Sequence, residues 1–285
     1  VSVSQALRDA ARTLRQAGVA EPQKDAERLL RHALGWDAAT LLSRLHDPVE
    51  GQALPRFDRL VTERARRVPL QHLVGSVEFW RREFLVSPAA LIPRPETELL
   101  VEQALASLAG RRSPLVVDIG TGTGCIALSI ALERGDAAVH AVELSDEALA
   151  LARQNAQRLG AAGRVHFHLG DLLEPLAGLG RRADLIASNP PYVDASEAPR
   201  LEPEVRDHEP GVALLPPDGD RYSIYRRLVP QARGRLLQGG LLLLEIGLGM
   251  EREVRAICQA GGLAVEAVKA DLQGIPRVVA ARFQG

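Results

Sequence analysis

The chain has 285 residues, 46% of them hydrophobic and 25% charged, with 35 Lys+Arg against 36 Asp+Glu for a formal net charge of -1. That length suits one large domain plus a smaller one, and the charge balance lacks the basic excess usual in nucleic-acid binders, so direct nucleic-acid contact is not expected. Two cysteines, Cys125 and Cys258, are too few for a disulfide framework or a thiolate metal site, and no metal is expected.

Both cysteines lie in apolar, helix-like stretches and read as small buried side chains. The opening residues lack a basic head followed by an apolar run, so no secretory signal is read there. The apolar run Leu241–Met250 is interrupted by Glu245, which argues against a membrane span. The expectation is a monomer in the cytoplasm.

The first seventy residues read as a helical bundle. Leu7, Ala11 and Leu14 recur at helical spacing after a Ser4 cap, and Gly18 ends that run. Ala26, Leu29, Leu30 and Ala33 mark a second helix, with Pro22 in its first turn and Gly35 at its end. A third holds Leu41, Leu42 and Leu45; a fourth runs from Leu54 to Ala65 and closes in Arg64, Arg66 and Arg67, read as a solvated helix end. From Leu73 to Ile92 aromatic and branched residues predict a hairpin with its polar turn at Arg81-Arg82. Three parts follow: helical bundle 1–70, hairpin linker 71–93, and α/β domain 94–285.

Beyond Leu115 strands and helices alternate, which predicts a doubly wound α/β sheet ending in an antiparallel hairpin. Predicted strands are Leu115–Ile119, Ala138–Glu143, Val165–Leu169, Ala183–Ser188, Gly240–Gly247, and a last pair over Leu263–Lys269 and Arg277–Phe283. Between Val193 and Asp220 a long Pro-rich loop without regular structure is expected, closing over the substrate or gripping a partner.

Asp118-Ile119-Gly120-Thr121-Gly122-Thr123-Gly124 joins the first buried strand to its helix. Glycines there allow a sharp turn and close approach of a ligand at the carboxyl end of the strand. A dinucleotide fingerprint calls for glycine where Cys125 stands. Asp118 facing the ligand is unwelcome beside a pyrophosphate and welcome beside an ammonium and a sulfonium, so S-adenosylmethionine is the expected cofactor. Glu143 closes the next strand, some twenty residues on, where a carboxylate can accept both ribose hydroxyls. Asp171 stands where it can meet the adenine amine, with a plain turn aspartate as the rival reading, and Leu172 can pack on the ring.

Asn189-Pro190-Pro191-Tyr192 follows directly on the strand Ala183–Ser188. The prolines fix the backbone, so the Asn189 side chain and the Pro190 carbonyl present two acceptors in one geometry. Together they match the two hydrogens of a planar NH2 group, on which Tyr192 can stack. An amide or aromatic amine is a poor nucleophile, so the contribution expected is alignment and polarisation.

At these residues the chain resembles the HemK family of release-factor glutamine methyltransferases. The likeness covers almost the whole length: the helical front, Gln71-His72-Leu73-Val74-Gly75, Ile92 to Glu98, the glycine turn, Asn-Pro-Pro-Tyr, and Glu209-Pro210 followed by Ala213-Leu214. It implies a class I S-adenosylmethionine-dependent methyltransferase fold, Rossmann-like with a mostly parallel seven-stranded sheet. It further implies that Gly120 to Gly124, Glu143, Leu172 and Asn189 bind the cofactor. Asn189, Pro190, Pro191 and Tyr192 would hold the glutamine of a Gly-Gly-Gln loop in peptide chain release factors, with the helical part docking that partner. His72 stands where the family often has tyrosine, Arg81 where it has glycine, and Leu172 where some relatives carry an aromatic. Asn-Pro-Pro-Tyr is shared with adenine methylases, and an adenine-amine methyltransferase acting on DNA or RNA is the alternative. The acid-rich stretch Glu197, Glu202, Glu204, Asp207 and Glu209 weighs against it.

Overall fold

The Ser2 hydroxyl accepts the Gln5 amide at 3.2 Å and starts α1 (Val3–Gln16), two residues before the predicted Ser4 cap. In this computed structural model, which describes all residues from Val1 to Gly285, the chain forms two units. The first comprises Val1–Ser76 and Glu202–His208; the second comprises Val77–Leu201 and Glu209–Gly285.

The first unit continues through α2 (Pro22–Leu34), with Pro22 at its start and Gly35 closing it at φ 68°. Next come α3 (Ala38–Ser43), capped by Asp37, then α4 (Ala53–Ala65) and the short α5 (Leu70–Val74). Leu14, Leu29, Leu30, Leu41 and Phe57 are buried together at its centre. The predicted solvated end holds only for Arg66, which is exposed and pairs with Glu63. Arg64 is buried, donating to Asp25 at 2.7 Å and to Glu204 at 2.8 Å. Arg67 reaches the other Glu204 oxygen at 2.6 Å. A buried guanidinium needs such partners, because an uncompensated charge out of water is costly. The segment Glu202–His208, read from sequence as part of the α/β domain, is thereby held within the helical unit.

The hairpin is shorter than predicted, because α5 takes residues up to Val74: β1 (Ser76–Phe79) and β2 (Arg82–Leu85) turn at Trp80 (φ 49°) and Arg81 (φ 59°). Two positive φ values mark the primed turn that suits strand twist. After α6 (Thr97–Ser107) come β3 (Leu115–Ile119), α7 (Cys125–Glu133), β4 (Ala138–Glu143), α8 (Asp146–Arg158), β5 (Val165–Leu169) and β6 (Ala183–Ser188). The stretch expected as irregular contains α9 (Pro203–His208) and α10 (Gly211–Leu214). The chain ends with α11 (Ser223–Arg235), β7 (Leu236–Glu245), α12 (Glu251–Ala260), β8 (Ala264–Ala270) and β9 (Pro276–Arg282). β7 begins earlier than predicted, since buried Leu236 already pairs with Ala183.

The sheet has seven strands in the order β5-β4-β3-β6-β7-β9-β8, parallel except for β9, which is antiparallel to β7 and to β8. β3 is buried throughout, as a strand covered on both faces must be. Its residues alternate: Val116 joins the core containing α6 and α7 residues, while Leu115, Val117 and Ile119 join the one containing α11 and α12 residues. Both cysteines are buried, one in each of these cores. The order of connection reverses between β3 and β6, which places a ligand crevice outside their carboxyl ends. No helix is long and apolar enough to cross a membrane.

Candidate active site

Register brings the pieces together. Ile119 pairs with Val142 on one side and with Ser188 on the other, and Ser188 pairs with Leu244. Four neighbouring parallel strands therefore deliver, side by side, Glu143, the glycine turn, Asn189 and Glu245. A cavity of about 220 Å³ opens there, lined in part by Gly120 to Thr123, Glu143, Asp171, Leu172, Asn189, Pro190 and Pro191.

The glycine turn is held from below. Gly120 and Thr121 donate their amides to the Val142 carbonyl at 2.9 and 3.1 Å. A Cβ built on Gly120 meets nothing within 4 Å, and its φ of 72° is one that side chains avoid. That open space is room for a ligand against the backbone. A Cβ on Gly124, by contrast, comes within 2.9 Å of Leu128, so this glycine serves the packing of α7.

Asp118 does not line the cavity, contrary to the reading that it faces the ligand. It is fully buried; its Oδ2 accepts from Thr121 Oγ1 at 2.6 Å and from the Ala127 amide at 3.1 Å, tying the turn to α7. Burial, with a smaller push from Glu143, raises its pKa to about 7 despite those bonds. Glu143 does line the cavity. Its Oε2 accepts the Gly122 amide at 2.8 Å and its Oε1 the amides of Leu144 and Ser145. A carboxylate offers about four lone-pair sites, so acceptor capacity remains for ribose hydroxyls. Asp171 pairs with Arg227, which also lines the cavity, so the carboxylate is engaged by a cation. Leu172, buried at φ 48°, gives the cavity an apolar wall. The open glycine backbone, the end-of-strand carboxylate and the apolar floor fit a nucleoside carrying a cationic tail.

On the other side of the cavity stand Asn189, Pro190 and Pro191. Asn189 Nδ2 donates to Thr97 Oγ1 at 3.2 Å. Tyr192 is half-buried and does not line the cavity; its ring lies against Gly247, where a Cβ would come within 2.9 Å of it. Burial pushes its hydroxyl up to about 12.

Four residues given no individual role in the sequence reading complete the site. Thr97 and Arg94 come from the Arg-Pro-Glu-Thr-Glu segment and line the cavity. Buried Glu209 clamps that segment: its Oε2 accepts the Ile92 amide at 3.1 Å and its Oε1 binds Arg94. Glu245 ends β7, almost wholly buried beside Thr97 and Asn189. The signal for it was visible: an acid interrupting an otherwise apolar strand.

The sheet order, the reversal between β3 and β6 and the cavity at their carboxyl ends define a class I S-adenosylmethionine-dependent methyltransferase. Residues 5–75 match the family model of the PrmC N-terminal domain, and residues 95–202 that of the methyltransferase small domain. The chain is 45% identical to a release factor glutamine methyltransferase of Cereibacter sphaeroides, over 98% of this chain and 97% of that one. It is 42% identical to a release factor glutamine methyltransferase of Deinococcus radiodurans, over 98% of both. A solved methyltransferase from Pyrococcus furiosus shares the fold, with a TM-score of 0.51 at 17% identity over 71% of this chain and 89% of that one. The chain belongs to the release factor glutamine methyltransferase family.

Proposed function

We propose that this enzyme methylates the side-chain amide nitrogen of the glutamine in the Gly-Gly-Gln loop of peptide chain release factors, and so supports translation termination. The observation that carries the reading is the placement of Asn189 and Pro190 across one cavity from the glycine turn and Glu143. S-adenosylmethionine supplies an electrophilic methyl group on a sulfonium. Glu143 and the backbone from Gly120 to Gly124 hold the nucleoside and amino-acid parts, Leu172 packs on the adenine, and Asp118 stiffens the turn from beneath.

Asn189 Oδ1 and the Pro190 carbonyl accept the two N–H groups of the substrate amide. Pro191 keeps that backbone rigid, and Tyr192, its ring packed against Gly247 outside the cavity lining, braces the turn from behind. Held so, the nitrogen presents one face to the methyl carbon. The nitrogen–carbon bond forms as the carbon–sulfur bond breaks, its electron pair staying on the sulfur of S-adenosylhomocysteine, and the surplus proton then passes from the nitrogen to water. Alignment supplies most of the acceleration, and the two acceptors stabilise the positive charge that develops on nitrogen. The helical unit is assigned to docking the release factor. The reading includes action as a monomer in the cytoplasm, without direct nucleic-acid contact.

Asn189→Ala is the direct test. Transfer to a release factor falls by at least about a hundredfold, on the scale of a lost oxyanion donor, while S-adenosylmethionine binding by calorimetry changes little. Turnover at the parental rate would remove Asn189 from the role given to it.

A further inference from the structure

Asn189 can serve the substrate only in one orientation. Its Oδ1 accepts hydrogens from an NH2 group; its Nδ2, turned to the same place, sets donor against donor. The two ends of an amide are nearly the same shape, so packing alone does not choose between them.

The surroundings do choose. Nδ2 donates to Thr97 Oγ1 at 3.2 Å. Thr97 and Glu245 are almost fully buried, the pairing of Ser188 with Leu244 carries Asn189 and Glu245 out on neighbouring strand ends, and both the Thr97 and Asn189 side chains favour the ionised form of Glu245. An ionised carboxylate only accepts. The Thr97 hydroxyl must then point its hydrogen at Glu245, which leaves its lone pairs for Asn189. Nδ2 is thus held on the side of Thr97 and the Glu245 carboxylate, and Oδ1 remains for the substrate.

We infer that Glu245, with Thr97 as relay, is a positioning residue that locks the Asn189 amide with its oxygen toward the substrate nitrogen. The inference rests on the function proposed above and concerns the same site. The second oxygen of Glu245, Oε2, is buried without a hydrogen-bond partner. The acid is kept because a neutral side chain of the same shape can donate, and a donor there reverses the chain. Burial raises Glu245 to about 7, while Thr97, Arg277 on β9 and Asn189 favour its ionised form and Glu96 opposes it. Tyr192, Cys125 at the start of α7, and Tyr225 on α11, whose hydroxyl donates to the Glu245 carbonyl, are the other titratable groups near it. Protonated Glu245 can donate, so the lock weakens as pH falls through the neutral range.

The test is kinetic, on the full-length enzyme with an unmethylated release factor. Glu245→Gln, equal in shape, lowers kcat by about tenfold to a hundredfold, with S-adenosylmethionine affinity within about threefold of the parent. The parent's kcat is expected to rise with pH through the neutral range, and that rise to be absent in this variant. Adding Asn189→Asp restores at least about tenfold of the loss, because aspartate presents an oxygen whichever way the chain runs. Thr97→Ser stays active and Thr97→Val does not, which keeps the test open even if Glu245→Gln folds poorly. Should Glu245→Gln keep the parental kcat and pH profile, or the double variant show no recovery, the lock is wrong. If the parent itself leaves the release-factor glutamine unmethylated, the underlying function is wrong instead, and the lock falls with it.

Discussion

The Ser188 hydroxyl donates to the Ile119 carbonyl at 2.8 Å, inside the sheet and out of reach of water. Ser188 is the residue before Asn189, and Ile119 the residue before Gly120. This buried bond reinforces the β3–β6 register that spaces the half of the site holding the substrate from the half holding the cofactor. Ser188→Ala leaves the Ile119 oxygen short of a donor and costs about 1–3 kcal/mol. Because nitrogen, methyl and sulfur must stay in line, kcat falls more than cofactor affinity does. Urea denaturation and single-turnover transfer check the two halves; an unchanged kcat would show that the spacing is set elsewhere.

In the helical unit Arg64 is the hub. Asp25 and Glu204 both bind it, and Arg64→Ala leaves buried Asp25 without its charged partner, while Glu204 keeps its two bonds from Arg67. The expected loss is about 3–5 kcal/mol. Burial alone would raise Glu204, but hydrogen bonds from Arg67 and Arg64 outweigh it and hold its pKa below the ordinary value. Its contribution is present above the unfolded carboxyl pKa and is lost as pH falls through the lower folded one. Circular dichroism of the variant should show an early helical transition; a single unshifted one contradicts this account.

Asp118 works in the opposite sense. Its folded pKa of about 7 lies above the ordinary 3.8, so between those values the folded chain keeps a proton that the unfolded chain has released. Stability consequently falls as pH rises from about 4 to about 7. Glu245, raised by burial to about 7 as well, adds to the same slope. Asp118→Asn keeps an acceptor for Thr121 and Ala127 while removing the ionisation. The fall over that window should shrink by on the order of 2–4 kcal/mol in urea melts. A slope equal to the parent's would show that Asp118 ionises freely in the fold.

Much of this architecture was legible in advance. Buried apolar runs alternating with helical periods point to the sheet, and the glycine turn and Asn-Pro-Pro-Tyr point to adjacent strand ends. What escaped the reading depends on partners far apart in sequence. Arg64 and Glu204 are 140 residues apart, and no local pattern distinguishes an arginine that a distant acid will bury from one that ends a helix in water. Glu245 looked like a break in a hydrophobic stretch until the sheet placed it beside Thr97 and Asn189. Asp118 was read as facing the ligand, whereas its hydrogen bonds aim it at the start of α7.

The hairpin turn offers a cheap check on backbone reasoning. Arg81 sits at φ 59°, where a side chain crowds its own backbone and glycine does not. Arg81→Gly should raise stability by roughly 0.5–1 kcal/mol, the relief of strain being partly offset by the greater freedom of the unfolded chain. A lowered Tm would mean that contacts of the Arg81 side chain outweigh the strain.

The central claim, an amide nitrogen held between Asn189 and Pro190, is tested most directly by offering labelled S-adenosylmethionine with unmethylated release factor and adenine-containing DNA side by side. Mass spectrometry then locates the methyl group. The account predicts label on the glutamine of the Gly-Gly-Gln loop, abolished when that glutamine is changed to alanine. Label on DNA, with the release factor untouched, would contradict it.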